Sequence, residues 1–284
     1  MMHYIENKFL KIAVKEKGAE LSSFYSKEAD FEYLWQGDEK FWLGQSPILF
    51  PIIGRLIDDK YTLFGKEYNL EKHGFARKTL WEFLGKGKNY LKFRLSSNAE
   101  TLEKYPFEFD LVVTFSINGK TLSVSHDVYN KGDKTMYFSL GAHPAFNCEM
   151  GDVLEFEKEE NITKEKIDLE KALLMPEKFP MLQNEKEIVI TEDIFNEDAL
   201  ILSGFQSDYI TLKSDNHKRT VKVTFGGAPY LGIWAKPGAP YVCIEPWYGV
   251  NDTFEKKDFN NKYQIRSLEK GGKFNFTWTA EVSE

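Results

Sequence analysis

Apolar and polar residues alternate with a period of two along most of this 284-residue chain, the signature of half-buried β-strands. Leu10, Ile12 and Val14, then Leu21 and Phe24, trace short strands between residues 9 and 35, broken at Gly18. Between residues 107 and 130 the runs FEFDLVVTFSI and KTLSVSHDVYN flank Asn118 and Gly119. Asn-Gly between alternating runs predicts a long antiparallel hairpin whose two turn positions both take positive φ. From residue 198 onward DALILS, YITLKS, TVKVTF, LGIWAK, YVCIEPW and KFNFTWTAEV recur with turn residues between them. No 3.6-residue period persists over a helix length, and no internal repeat is evident. The pattern predicts an all-β chain, a large antiparallel twisted β-sandwich occupying residues 1–284 as a single domain. Two segments depart from it. Residues 42–55 carry Pro47 and Pro51, which suit neither a regular central strand nor a helix, and read as a buried irregular run delivering Arg55 to a specific place. Residues 149–187 are charged and weakly patterned, and read as an excursion of loop and edge strand with a helical turn.

Two stretches carry candidate chemistry. Residues 141–147 read GAHPAFN and residues 243–252 read CIEPWYGVND. Each ends an alternating run, and each sets a proton-transfer residue, His143 or Glu245, directly before a proline. Proline pushes its predecessor into extended backbone and cannot donate to a ladder, so both side chains are expected where a strand stops. The alternation sets their direction: Phe138, Leu140 and Ala142 take one face, and His143 shares the other with the small Ser139 and Gly141. Likewise Val242 and Ile244 face the core, leaving Glu245 with Cys243 and Tyr241. If the two strands meet, an imidazole and a carboxylate line one aromatic-walled groove.

Four strings in order, FPIIGRL (residues 50–56), HGFAR (73–77) with Trp81 beyond it, GAHPAFN and EPWYGVND, resemble the aldose 1-epimerases, or galactose mutarotases, and in particular their shorter LacX-like bacterial branch. The matches spread over most of the chain. The resemblance implies the galactose mutarotase-like supersandwich fold and interconversion of the α and β anomers of a hexose such as galactose or glucose. That reaction moves one proton off the anomeric hydroxyl and one onto the ring oxygen, which one base and one acid can do without metal or nucleotide. Glu245 looks like the family's base and His143 its acid. Arg55 and Asp198 look like its substrate-gripping residues, and His73 its second active-site histidine. Phe75, Trp81, Trp247 and Tyr248 are candidates to stack on the pyranose, although aromatic residues in a strand-rich chain are usually core. Without the resemblance, a hydrogen-bonded core histidine at 143 and a solvated strand end at 245 explain the residues better.

Composition narrows the partners. At 42% hydrophobic and 15% aromatic, the chain has enough apolar surface for a full core. Its net charge of -7, with Lys and Glu interspersed, argues against nucleic acid or an anionic membrane as partner. The start lacks a basic segment followed by an apolar one, no apolar run reaches membrane-spanning length, and the 2 cysteines are too few for a disulfide scaffold. The expectation is a soluble cytoplasmic protein, monomer or homodimer, acting on a small sugar. Arg77, Lys78 and Lys72 offer cations for a phosphorylated hexose, the chief alternative substrate. A non-catalytic sugar-binding protein is the alternative from another class. A metal held by His73, His143, Asp198 and Glu245 finds no supporting local spacing, a catalytic Cys243 lacks an evident partner base, and a glycosidase pairing Glu245 with Asp198 is disfavoured because His143 fits the acid role and the resemblance points elsewhere. His3, His126 and His217 read as structural or solvated.

Overall fold

The computed structural model describes residues 1–283, of which about 53% is strand and about 5% helix. Among these residues most strands join one 15-stranded antiparallel sheet, accompanied by a 4-stranded sheet built from the first 32 residues. The alternation explains the sheet. In the strand Thr121–Asn130 every second side chain is buried, including Leu122, Val124, His126 and Val128. The buried faces of adjacent strands thereby feed one large apolar core rich in phenylalanine.

The hairpin forms one residue later than the Asn-Gly reading predicts. Phe109–Asn118 pairs with Thr121–Asn130, and Asn118 itself faces Thr121 in the ladder. The turn is therefore Gly119 and Lys120, with positive φ at Gly119 alone (58°). A glycine at the first of two turn positions still matches the twist of the flanking strands.

Residues 149–187 do hold an edge strand, but as one of two of the longest strands in place of the expected loop and helical turn. Val153–Ile167 and Leu174–Val189 form a bulged ribbon. Charged side chains cover its outer face, which hid the alternation. Pro176 and Pro180 lie in Leu174–Val189, whose one ladder partner is Val153–Ile167, so their missing donors break no central pairing.

Residues 45–53 are buried, with a two-residue strand, Ile48–Leu49, pairing with Leu140–Ala142. Leu140–Ala142 pairs in turn with one edge of Tyr241–Tyr248, as does Ala145–Asn147; Tyr230–Trp234 takes the other edge. Gly141 faces Trp247 and Ala145 faces Cys243, so one register runs on both sides of His143 and sets it opposite Glu245. Directly opposed residues project to the same face of a sheet, about 5 Å apart at Cβ.

The expected strand end at Glu245 is not observed: Tyr241–Tyr248 continues through Pro246. Ile244 donates its N–H to Pro144 O at 3.1 Å. Amides two residues apart point to the same edge, so the N–H that Pro246 lacks would face Ala142, the last residue of its short strand, where the pairing is already ending.

Candidate active site

His143 and Glu245 share a cleft of about 170 Å³ lined also by Trp42, Lys72, His73, Arg77, Asp198, Trp234, Trp247 and Asn251. Size does not single it out, because a cleft of equal volume lies beside Tyr61 and Lys262. The distinguishing feature is the set of proton-transfer groups converging in it. His143 Nε2 stands 3.3 Å from Glu245 Oε2. The imidazole lies 5.0 Å from the Trp42 ring, tilted 31° to it, and edge-on to Trp234 at 6.0 Å.

Two glycines make room for the third tryptophan. A Cβ on Gly141 would come within 2.7 Å of the Trp247 indole, and one on Gly232, opposite Glu245, within 2.6 Å. The space that small residues leave beside His143 is thus filled by Trp247. Its Nε1–H donates to Glu245 Oε2 at 3.2 Å, so the indole and the imidazole address the same carboxylate oxygen.

Burial works against charge on both members of the pair. It drives the His143 imidazole down to about 3 and holds the Glu245 carboxyl well above its ordinary range. The Trp247 donor and the Lys72 ammonium pull Glu245 back toward ionisation, while Asp198 pushes the other way. His143 Nδ1 is buried without a partner among the described residues. An unpaired lone pair is cheaper there than an unpaired N–H, which favours the Nε2–H tautomer directed at Glu245.

His73 joins the cleft through an unusual backbone, with φ of 67° followed by 68° at Gly74. Its N–H donates to Gly54 O at 2.8 Å and its Nδ1 accepts the Gly54 N–H at 3.1 Å. With Nδ1 accepting, the neutral ring carries its proton on Nε2. The ring lies 6.0 Å from that of His143, and burial, with a smaller contribution from His143, keeps it far below the usual imidazole range. Asp198, also at positive φ (69°), lines the cleft and accepts the Ala199 N–H at 2.7 Å. Arg77 donates from Nη2 to Lys72 O at 2.7 Å, and its Nε has no partner among the described residues.

Five of the candidates lie elsewhere. Tyr248 follows Trp247, so strand alternation sends it to the opposite face. There it donates to Gly226 O at 2.9 Å and packs on Phe274 and Phe276. Phe75 is core, packed against Phe50, Tyr105 and Phe109. Arg55 closes the buried run but turns outward, gripping Asp59 through two hydrogen bonds of 2.8 Å in a separate groove. Trp81 is likewise buried, donating to Ala76 O at 2.9 Å, and Lys78 pairs with Glu71 at the surface.

Trp42, Trp234 and Asn251 line the cleft without having been singled out. Asn251 lies inside the EPWYGVND string, where a signal existed. Its amide donates to Ala172 O at 2.8 Å, and a Cβ on Gly54 would overlap its side chain. Trp42 and Trp234 reach the site through loop path and register, which local pattern does not encode.

Comparison with known proteins gives the family. A family model described as aldose 1-epimerase matches residues 1–278. The plasmid-borne protein LacX of Lactococcus lactis is 32% identical over 268 residues, 89% of each chain. A galactose mutarotase related enzyme from Lactobacillus acidophilus superposes with a TM-score of 0.94 at 33% identity, covering 100% of this chain and 98% of that one. A galactose mutarotase-like protein from Lactobacillus casei gives 0.91 at 31% identity over 100% of both chains. Whole-chain similarity of this kind, together with the all-β sheet, makes this chain a member of the aldose 1-epimerase family.

Proposed function

We propose that this protein is a cofactor-independent aldose 1-epimerase that interconverts the α and β anomers of an aldohexose such as galactose or glucose. In this reading it is a single cytoplasmic domain, monomeric or homodimeric. The observation that carries the proposal is the approach of His143 Nε2 to Glu245 Oε2 at 3.3 Å in a tryptophan-walled cleft. Family membership supports a mutarotase-type isomerase; the roles of individual residues are our assignment.

With a closed ring bound, Glu245 accepts the proton of the C1 hydroxyl while His143, as imidazolium, protonates the ring oxygen. The ring opens, C1 to C2 rotation exposes the other carbonyl face, and the two groups return the protons. Closed and open states carry the same total charge, because one proton changes hands within the pair. Burial favours the neutral pair, which is the partner of the open-chain aldehyde. Trp247, Lys72 and sugar hydroxyls favour the ionised pair needed for attack. His73 Nε2–H and Asp198 offer a donor and an acceptor for ring hydroxyls, and Trp42 and Trp234 offer apolar faces.

A phosphorylated aldohexose is a second reading, favoured by Lys72 and the incompletely bonded Arg77 on the cleft wall. Polarimetry on freshly dissolved α-anomers of glucose, galactose and their 6-phosphates tests both. Accelerated mutarotation of the free sugars supports the first proposal, and a response confined to the phosphates replaces it with the second. Binding without acceleration reduces the protein to a sugar-binding one.

A further inference from the structure

Behind the acid/base pair stands a third group that anomerisation does not use. Cys243 is two residues before Glu245 on the same strand face and has no solvent exposure. A ligating atom from each of His143, Cys243 and Glu245 lies within 4.8 Å of the other two. We propose that this imidazole, thiol and carboxylate form an inhibitory site for a borderline-soft divalent cation, of the zinc or cadmium type, entered from the sugar cleft.

The donor chemistry selects the ion. Nitrogen and sulfur ligands suit zinc, cadmium or cobalt, whereas magnesium and calcium demand a shell of oxygens. Charge balance supplies the driving force. Coordination takes Cys243 as thiolate and Glu245 as carboxylate. A divalent ion is balanced by that one thiolate and one carboxylate, so the loaded cluster is neutral and gains three coordinate bonds. Ligands on a tetrahedral centre sit about 3.3–3.8 Å apart given bonds of about 2.0–2.3 Å. The His143 and Glu245 atoms, at 3.3 Å, already meet that spacing. The Cys243 ligating atom lies within 4.8 Å of both, and the imidazole and carboxylate line the sugar cleft, which gives the ion its way in.

The ion competes with protons for its ligands, so affinity rises with pH. It also occupies both proton-transfer groups, so the ion competes with the sugar. That last consequence rests on the epimerase reading; the site itself does not.

Cadmium titration of the intact protein, followed by thiolate-to-metal charge-transfer absorption, tests the site without any activity measurement. The expected result is a band saturating at one cadmium per chain, with protons released on binding in weak buffer. It persists in Cys148→Ala and is absent in Cys243→Ala and Cys243→Ser, each checked for native circular dichroism. Saturating cadmium lowers the mutarotation rate of wild type at least ~10-fold and leaves Cys243→Ala unaffected. A wild-type titration without the band, or a band that survives both Cys243 substitutions, overturns the site. If mutarotation is absent altogether, the absorption and proton release still decide it.

Discussion

Trp247 donates its indole N–H to the Glu245 oxygen that also faces His143, at 3.2 Å and 3.3 Å respectively. The carboxylate is therefore held by a fixed donor on one side while it exchanges a proton on the other. Removing the donor by Trp247→Phe takes away a bond that favours the ionised carboxylate. The expected result is a kcat lower by about tenfold and an alkaline limb of the pH profile moved upward. An unchanged profile would show that the bond does not tune the carboxylate.

His143→Asn and Glu245→Gln remove proton transfer while keeping size and polarity. Each is expected to lower kcat at least ~100-fold with sugar affinity largely retained. Progress curves at several sugar concentrations separate the two parameters. Near-full turnover in either variant would remove that residue from the mechanism.

The pH profile follows from the charge state with one proton between the two groups. A second proton must enter the His143 imidazole, which burial holds to about 3. As pH falls through 6.5, kcat/KM is therefore expected to stay flat, unlike that of an enzyme with an ordinary histidine. Activity is lost as pH rises through the elevated value of the Glu245 carboxyl. Anomer exchange measured by NMR from pH 5 to 9, corrected for the buffer-catalysed rate, reads both limbs.

Gly141→Ala places a methyl 2.7 Å from the Trp247 indole and 3.0 Å from Ile53. The indole must shift, carrying the hydrogen bond to Glu245 with it. A misplacement of about 1 Å can cost ~100-fold, so a loss of 10- to 100-fold in kcat is expected in a variant whose circular dichroism remains native. Wild-type turnover would show that the close packing is not needed.

His126 lies far from the chemistry, stacked on Phe276 at 5.2 Å, with neither ring nitrogen partnered among the described residues. Burial drives it down to about 4. Unfolded histidine takes a proton near pH 6.5, so folding stability is present above that pH and is lost as pH falls toward 4. Urea denaturation at pH 7 and pH 4.5 is expected to show a drop that is smaller by about 2–3 kcal/mol in His126→Leu. Parallel slopes for the two proteins would exclude this contribution.

What the sequence determined by itself was period and face. Alternation specified an all-β chain, and it placed His143 with Gly141 and Glu245 with Cys243, because side chains two apart on a strand point the same way. The same parity separates Tyr248 from Trp247, so its distance from the cleft was legible too. The hairpin was legible to within one residue, since a glycine turn can sit in either of two frames. Only the tertiary structure decided register. Nothing local states that residue 141 faces 247 and residue 145 faces 243, yet that pairing alone sets an imidazole opposite a carboxylate. It also decided which loops arrive. The buried run before Arg55 was readable from its prolines, but whether the guanidinium enters the cleft or turns to Asp59 depends on neighbours distant in sequence. Trp42 and Trp234 were invisible for the same reason: non-local pairing, rather than any pattern of their own, brings them against His143.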